Sequence, residues 1–181
     1  MTKKDIVSLI ENDPWMMDIL RTVEDLNLND WMIGAGFVRS TVWDHLHKYV
    51  NKTLIPDIDL IYFNLDAKKI EDEKIIWKKL KEKYPTIKWS VTNIAYRHLK
   101  LHREPYKNST QALSEWVETA TCVAVKTEKG KVTIIAPHTV KDLVNLTLRP
   151  TPKFKNDLKT FYQRIENKEW LKKWPKLKID S

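Results

Sequence analysis

The sequence is poor in cysteine and in long apolar runs. A single cysteine, Cys122, among 181 residues excludes an internal disulfide framework and a zinc site built from several thiolates. No apolar stretch reaches the roughly 18 residues that a membrane-spanning helix needs, and the N-terminal segment lacks the apolar region of a secretory signal. With 42% hydrophobic residues, the chain can still build a core. We therefore expect a cytoplasmic protein with no membrane partner, folded as a single domain over residues 1–181.

Glycine is also scarce. The chain has three glycines, whereas average usage of about 7% would give about 12. Gly130 lies between two β-like runs, where a hairpin turn favours a positive φ. The other two, Gly34 and Gly36, form the sequence GAG between an apolar run and a helix-like segment. Glycines at such a turn let a ligand approach the backbone closely, and the free amides of the following helix attract anions such as phosphate.

Two polar residues follow the glycine pair at the predicted start of the next helix. The guanidinium of Arg39 and the hydroxyl of Ser40 are suited to phosphate contacts. The turn lacks the third glycine of a GxGxxG motif and the GKS or GKT of a Walker A motif. On this motif alone, a tight turn without a ligand is the alternative interpretation.

A pair of aspartates opens the next apolar strand. In the sequence DID, Asp57 and Asp59 are two residues apart, so in a strand both carboxylates point to the same side. Neighbouring like charges repel unless a cation lies between them. Mg²⁺, or Mn²⁺ in its place, prefers such oxygen ligands and links them to phosphates. Two solvated aspartates at a loop end are the alternative.

The periodicity of the remaining sequence predicts an α+β domain with a small mixed sheet flanked by helices. We expect N-terminal helices in residues 1–30, a core in 31–148 and a basic tail helix in 149–181, with a hairpin before that tail. The predicted helices are 3–11, 14–26, 38–49, 66–83, 112–115, 140–148 and 153–173, and the predicted strands are 31–33, 58–63, 87–95, 122–126 and 131–136.

Positive charge is concentrated towards the end of the chain. The net charge is +8, and residues 149–181 carry ten Lys and Arg against four Asp and Glu, or +6 of that total. A second basic segment, 97–107, contains the cationic residues Arg97, Lys100, Arg103 and Lys107, with His98 and His102 among them. These two segments predict contact with a polyanion, either nucleic acid or a phosphorylated small molecule. A solvated basic helix face is the alternative.

Several stretches resemble nucleotidyltransferases of the DNA polymerase β-like superfamily. GAGFVRS at 34–40, DIDL at 57–60 and VTNIAY at 91–96 are similar to the GGxVRD, DIDL and FTINALAY motifs of class II CCA-adding enzymes and bacterial poly(A) polymerases. Longer stretches resemble a family of small bacterial nucleotidyltransferases over residues 31–175. They are GAGFVRSTVWDHLHK at 34–48, DIDLIYFN at 57–64, VTNIAYRH at 91–98, ETATCVAVK at 118–126 and WLKKWP at 170–175.

This resemblance implies a polymerase β-like head fold and roles for particular residues. Asp57 and Asp59 would be the catalytic, metal-binding carboxylates for Mg²⁺ or Mn²⁺. The implied nucleotide-binding residues are Gly34, Gly36, Arg39, Ser40, Asn93 and Arg97. The implied reaction moves a nucleoside monophosphate from an NTP to an acceptor hydroxyl and releases pyrophosphate, with RNA, a protein or a small molecule as the acceptor.

The sequence departs from the family pattern at Ser40, where class II enzymes have aspartate, and in residues 87–95, which contain no third carboxylate. The missing third carboxylate and the +6 charge of residues 149–181 support a second hypothesis. The alternative is therefore a non-catalytic module that keeps the fold and binds nucleotide or RNA.

Six of the eight tryptophans and the cysteine are expected to be structural. We expect Cys122 to be a buried small hydrophobic residue. Four tryptophans within predicted elements are expected in the core, namely Trp31, Trp43, Trp77 and Trp89. Trp170 and Trp174 are four residues apart, which predicts that they dock the last helix onto the domain. Stacking on nucleic-acid bases is their alternative role.

Overall fold

The structure is a computed structural model that describes residues 1–66, 70–101 and 104–181. It begins with two helices, α1 (Lys3–Glu11) and α2 (Pro14–Glu24). Thr2 and Asp5 form a capping box at the start of α1, and the Asp13 carboxylate accepts the first free amides of α2. Pro14 occupies the first turn of α2, where its missing amide costs nothing. Both predicted helices are confirmed, although α2 ends two residues earlier than expected.

A five-stranded mixed sheet forms the centre of the fold. Its strands are β1 (Met32–Gly34), β2 (Ile58–Tyr62), β3 (Trp89–Asn93), β4 (Ala124–Glu128) and β5 (Lys131–Ile135), in the order β3-β2-β1-β4-β5. The β2–β3 pair is parallel and the other pairs are antiparallel. Gly34 and Ser90 both pair in register with Asp59. The α+β class and the mixed sheet are therefore confirmed.

Helices cover the sheet and connect its strands. They are α3 (Gly36–His47), α4 (Ile70–Lys83), α5 (Arg97–Leu101), α6 (Ser109–Ser114) and α7 (Lys141–Val144). The crossover between the parallel strands β2 and β3 is made through α4. The predicted hairpin is also confirmed, because Lys129 and Gly130 both have positive φ between β4 and β5.

The main apolar core lies between the sheet and the helices α1, α2 and α3. Three of the four tryptophans expected in the core are buried there, but Trp77 is 42% exposed. The buried face of α4 carries Ile76 and Leu80, which are four residues apart, so Trp77 projects from another face of the helix. Among the described residues, no helix is both long enough and apolar enough to cross a membrane.

The predicted tail helix over 153–173 is wrong. The chain makes a 3₁₀ turn at Pro152–Phe154, then α8 (Leu158–Asn167) and the short α9 (Trp170–Lys173). The Asp157 carboxylate caps α8, and Glu169 breaks the helix with a φ of 51°. The predicted helix over 140–148 also divides, because α7 is followed by the strand β6 (Thr147–Leu148), which pairs with β7 (Lys178–Ile179).

The docking role of the two tail tryptophans is confirmed. Trp170 and Trp174 are each 2% exposed. Their rings pack edge-on against Trp43 of α3, with centroids 5.7 and 5.0 Å away. The indole of Trp174 also donates a 2.7 Å hydrogen bond to Asp44. These contacts with Trp43 and Asp44 attach the C-terminal segment to α3.

The turn between β1 and α3 holds a strained residue. Ala35, between the two glycines, has φ 48° and ψ −114°, a conformation that L side chains rarely adopt. The fold enforces it, because the Ala35 amide donates to Val123 and its carbonyl accepts the amides of Val38 and Arg39. Such strain costs about 1–3 kcal/mol.

Substitutions at residue 35 should reveal this strain. We expect Ala35→Val to lower the free energy of unfolding by at least about 2 kcal/mol, because a β-branched side chain tolerates this backbone poorly. Ala35→Gly removes the clash and should be no less stable than the wild type. Urea unfolding of the wild type and the two variants measures the order of their stabilities. A valine variant as stable as the wild type would show that residue 35 adopts a different backbone conformation.

Cys122 is buried, as expected. It is fully inaccessible, and its thiol donates to the Glu118 carbonyl at 3.3 Å. Burial raises the pKa of the thiol to about 12. We therefore predict that a chromogenic disulfide reagent labels no thiol in the native protein and one per chain after denaturation. Rapid labelling of the native protein would contradict this assignment.

Candidate functional site

A cleft of about 490 Å³, here called the central cleft, opens beside the start of α3 and the strands β2 and β3. Five of the eight site residues predicted from the sequence line it, namely Gly36, Arg39, Asp57, Asp59 and Arg97. The first backbone amides of α3, at Gly36 and Phe37, precede the helical hydrogen-bond ladder, as at any helix start. The structure therefore brings the glycine turn and the aspartate pair to one place.

The aspartate pair forms the acidic part of the central cleft. Asp57 lies just before β2 and Asp59 is the second residue of that strand, and both are half-buried. Burial and the charge of Asp57 raise the pKa of Asp59, while a hydrogen bond from the Ser90 side chain on β3 opposes the rise. The two carboxylates thus repel each other, and a cation bound between them would relieve that repulsion.

Arg39 supplies a fixed positive charge. Its side chain is 6% exposed, and its guanidinium lies 5.3 Å from the ring centroid of Trp43 and 4.6 Å from that of Trp170. Burial lowers the pKa of Arg39 to about 10, and the charge of Glu118 opposes the fall. The group therefore stays protonated at neutral pH. Its Nε atom has no hydrogen-bond partner within the described ranges, which leaves a buried donor without an acceptor.

The C-terminal segment contributes residues that sequence reasoning missed. Arg164 and Lys168 line the central cleft from α8 and its C-terminal end. The Nε atom of Arg164 lies 3.0 Å from Oε1 of Glu118, whose other oxygen accepts from Thr121 at 2.9 Å. Glu118 is fully buried, so this ion pair is anchored beneath the cleft. The basic composition of 149–181 was the only signal in the sequence that pointed to these cations.

Three predicted nucleotide contacts lie elsewhere in the structure. A Cβ atom on Gly34 would come 2.7 Å from Cη2 of Trp116, so this glycine makes room for an indole ring rather than for a ligand. Ser40 is buried and lines a second cleft of about 300 Å³, beside Asp13. Asn93 is 2% exposed, and its amide group is occupied by hydrogen bonds to the backbone of Asn64 and Ala95. The structure does not bring these residues to the central cleft.

The basic segment 97–107 is only partly described. Arg97 begins α5 at the edge of the central cleft, and Nδ1 of His98 lies 3.0 Å from the carbonyl oxygen of Ala95. His102 and Arg103 lie outside the described residues, as does the side chain of Lys100. The segment therefore gives the cleft one observed cation.

No third carboxylate joins the aspartate pair from β3. The cleft-facing residues of that strand are Ser90 and Thr92. Glu115 lines the cleft but accepts a hydrogen bond from Tyr106 and forms an ion pair with Lys153. Within residues 1–66, 70–101 and 104–181, no group of three or more His, Cys, Asp and Glu side chains is placed to hold a metal ion. The candidate site for a cation is thus the Asp57–Asp59 pair alone.

Comparison with solved structures identifies the fold. An NMR structure described as a CCA-adding enzyme head domain superposes with a TM-score of 0.85 at 30% identity, covering 99% of this chain and 96% of that chain. The Thermotoga maritima CCA-adding enzyme in complex with tRNA matches with a TM-score of 0.60 at 12% identity. A CCA-adding enzyme in complex with CTP gives a TM-score of 0.56 at 13% identity. This chain covers 43% and 44% of those two enzymes.

Comparison of sequences identifies the family. No protein with a curated description matches the chain. A profile of a nucleotidyltransferase family matches residues 21–179, which include the glycine turn, the aspartate pair and the C-terminal cations. The chain therefore belongs to this nucleotidyltransferase family and has the fold of a CCA-adding enzyme head domain.

Proposed function

We propose that the protein is a metal-dependent nucleotidyltransferase that moves a nucleoside monophosphate from an NTP to an acceptor hydroxyl and releases pyrophosphate. The observation that carries this proposal is the juxtaposition of Asp57 and Asp59 with the buried Arg39 at the start of α3. An acidic pair beside fixed positive charge suits a substrate that combines a metal ion with a polyphosphate.

The chemistry of the acidic pair fits a divalent cation. Carboxylate oxygens are the ligands that Mg²⁺ and Mn²⁺ prefer. Burial and the charge of Asp57 raise the pKa of Asp59, and the repulsion between the two carboxylates favours a bound cation. Asp57 and Asp59 would hold the ion. When bound, it would neutralise phosphate charge and favour in-line attack on the α-phosphate.

The protein's own residues would position the nucleotide. The amides at the start of α3 favour an anion, and Gly36 lets it approach the backbone. The buried guanidinium of Arg39 contacts the indole rings of Trp43 and Trp170, so its charge is already in place before substrate binds. Related folds have been solved with CTP, ATP and tRNA, but the acceptor of this chain stays open among RNA, proteins and small molecules.

Nucleotide binding tests the proposal. Calorimetric titration with ATP, CTP, GTP and UTP should show binding of at least one nucleotide in the presence of Mg²⁺, and much weaker binding without it. The absence of binding by the wild-type protein in both conditions would refute the proposal. Incorporation of a labelled nucleoside monophosphate into an acceptor would then establish the reaction.

One observation favours a second candidate function, a non-catalytic module that binds nucleotide or RNA. Among the described residues no third carboxylate joins Asp57 and Asp59 in a group that could hold a metal ion, while 149–181 carries a net charge of +6. For such a module, RNA affinity should fall steeply with salt and should not change in Asp57→Ala. Incorporation of labelled nucleotide that depends on Asp57 would exclude it.

A further inference from the structure

We infer that Arg164 and Lys168, carried by the C-terminal segment, bind the terminal phosphates of the nucleotide from the wall of the central cleft that this segment forms. This inference rests on the proposed nucleotidyl transfer and extends it to residues outside the glycine turn and the DID motif. Both side chains line the same cleft as Asp57 and Asp59.

The C-terminal segment that forms this wall is attached to α3 through a buried indole ring. Trp170, just beyond α8, is 2% exposed and contacts two cations of the site, the buried Arg39 and the partly exposed Arg164. The guanidinium of Arg39 lies 4.6 Å from its ring centroid and that of Arg164 lies 5.7 Å away. One indole ring thus fixes the charge on α3 relative to the charge on α8. Side chains that are already fixed in this way lose little conformational entropy when the site binds an anion.

Arg164 and Lys168 together carry more positive charge than Glu118, the carboxylate that pairs with Arg164, can offset. Glu118 pairs with Arg164 through Nε only. Within the described part of the chain, the terminal nitrogens of Arg164 have no hydrogen-bond acceptor, and the half-buried ammonium of Lys168 has no carboxylate partner. The free terminal nitrogens of Arg164 and the ammonium of Lys168 leave positive charge that an external anion could bind.

The position of the aspartate pair determines which part of a nucleotide would lie at this wall. The phosphate that reacts must lie at the metal-binding pair, Asp57 and Asp59. The rest of the polyphosphate carries most of its negative charge, and the central cleft offers that charge Arg39, Arg164 and Lys168. The terminal phosphates, which leave as pyrophosphate, are therefore the groups that suit the wall formed by α8.

A pair of lysine variants tests this inference. Lys168→Gln should weaken binding of ATP in the presence of Mg²⁺ by about tenfold or more, because a charge-assisted hydrogen bond is lost. Its binding of AMP, which lacks the terminal phosphates, should change by less than about twofold. The matched control is Lys159→Gln, which removes the same charge from an exposed position on α8 outside the cleft, and it should bind ATP as the wild type does.

A conservative change at Arg164 provides the second variant. Arg164→Lys keeps a cationic partner for Glu118 and so preserves the fold, but it removes the terminal nitrogens of the guanidinium. It should also weaken ATP binding more than AMP binding, while the melting temperature without ligand stays close to that of the wild type.

The outcomes separate this inference from the proposed function. A wild-type protein that binds no nucleotide contradicts both. A wild-type protein that binds ATP, with Lys168→Gln binding it equally well, overturns the inference alone. Equal weakening of ATP binding and AMP binding also overturns it, because Lys168 would then not contact the terminal phosphates. If Lys168→Gln weakens binding of a short oligoribonucleotide but not of ATP, the wall serves the acceptor and the inference is wrong.

Discussion

Asp59→Asn is expected to keep the melting temperature of the ligand-free protein and to lose most of the thermal shift produced by Mg²⁺ with an NTP. The amide keeps the size of the carboxylate, and its neutral charge ends the repulsion from Asp57 that burial intensifies. The variant should therefore be as stable as the wild type or slightly more stable. In the wild type, a ligand at a hundredfold excess over its Kd adds about 2.7 kcal/mol of stability. Differential scanning fluorimetry measures both effects.

Asp57→Asn should behave in the same way, because the proposal gives both carboxylates to the same cation. If either variant unfolds the ligand-free protein, the carboxylate concerned is structural and supports the 51–56 segment. If both variants keep the full thermal shift, the cation binds elsewhere and the assignment to the aspartate pair is wrong. Asp72→Asn, on α4 and outside the cleft, is a control that should keep the shift.

Glu118→Ala is expected to lower the free energy of unfolding by about 3–4 kcal/mol. Glu118 is fully buried and pairs with Arg164, whose side chain is 35% exposed, and its charge also faces the buried Arg39. Removing one member of a buried ion pair is costly, because the remaining charge stays desolvated without a partner. Thr121 would also lose a hydrogen bond to the Glu118 carboxylate. Urea unfolding should show a lower midpoint with an unchanged slope.

Glu166→Ala is the matched control for this measurement. Glu166 lies on α8 and is exposed, so its removal should change the free energy of unfolding by less than about 0.5 kcal/mol. A loss of less than about 1 kcal/mol in Glu118→Ala would mean that Arg39 and Arg164 reach solvent without their partner. The interactions of Glu118 with Arg39 and Arg164 would then contribute little to the free energy of unfolding.

The sequence predicts best where the signal is local. Asp13 with Pro14 marks the start of α2 through the capping chemistry of two adjacent residues, and Gly130 marks the hairpin through its positive φ. The DID motif predicts a shared direction for Asp57 and Asp59 from strand periodicity. Each of these predictions depends on neighbours within a few positions, and the structure agrees with each.

The predictions that failed depended on tertiary contacts. Residues 153–173 have a helical composition, but the chain bends at Glu169 so that Trp170 and Trp174 can pack on Trp43. Helix propensity depends on local sequence and does not include a contact with a residue more than a hundred positions away in the chain. The Glu118–Arg164 pair was missed for the same reason, since it joins residues 46 positions apart.

Helix geometry also limits what the motif could place in the cleft. Arg39 and Ser40 are adjacent in α3, and successive residues on a helix point about 100° apart. When Arg39 faces the central cleft, Ser40 is turned towards the second cleft beside Asp13. The resemblance treated the two residues as a unit, whereas the helix separates them.

The contact between Gly34 and Trp116 has a consequence for how related sequences diverge. The indole of Trp116 occupies the space that any side chain at position 34 would need, and the same ring lines the central cleft. Residue 34 is therefore free to become larger only when residue 116 becomes smaller. Among homologues, a larger residue at position 34 should occur beside a small one at position 116, so that the glycine and the tryptophan covary across the 82 positions that separate them.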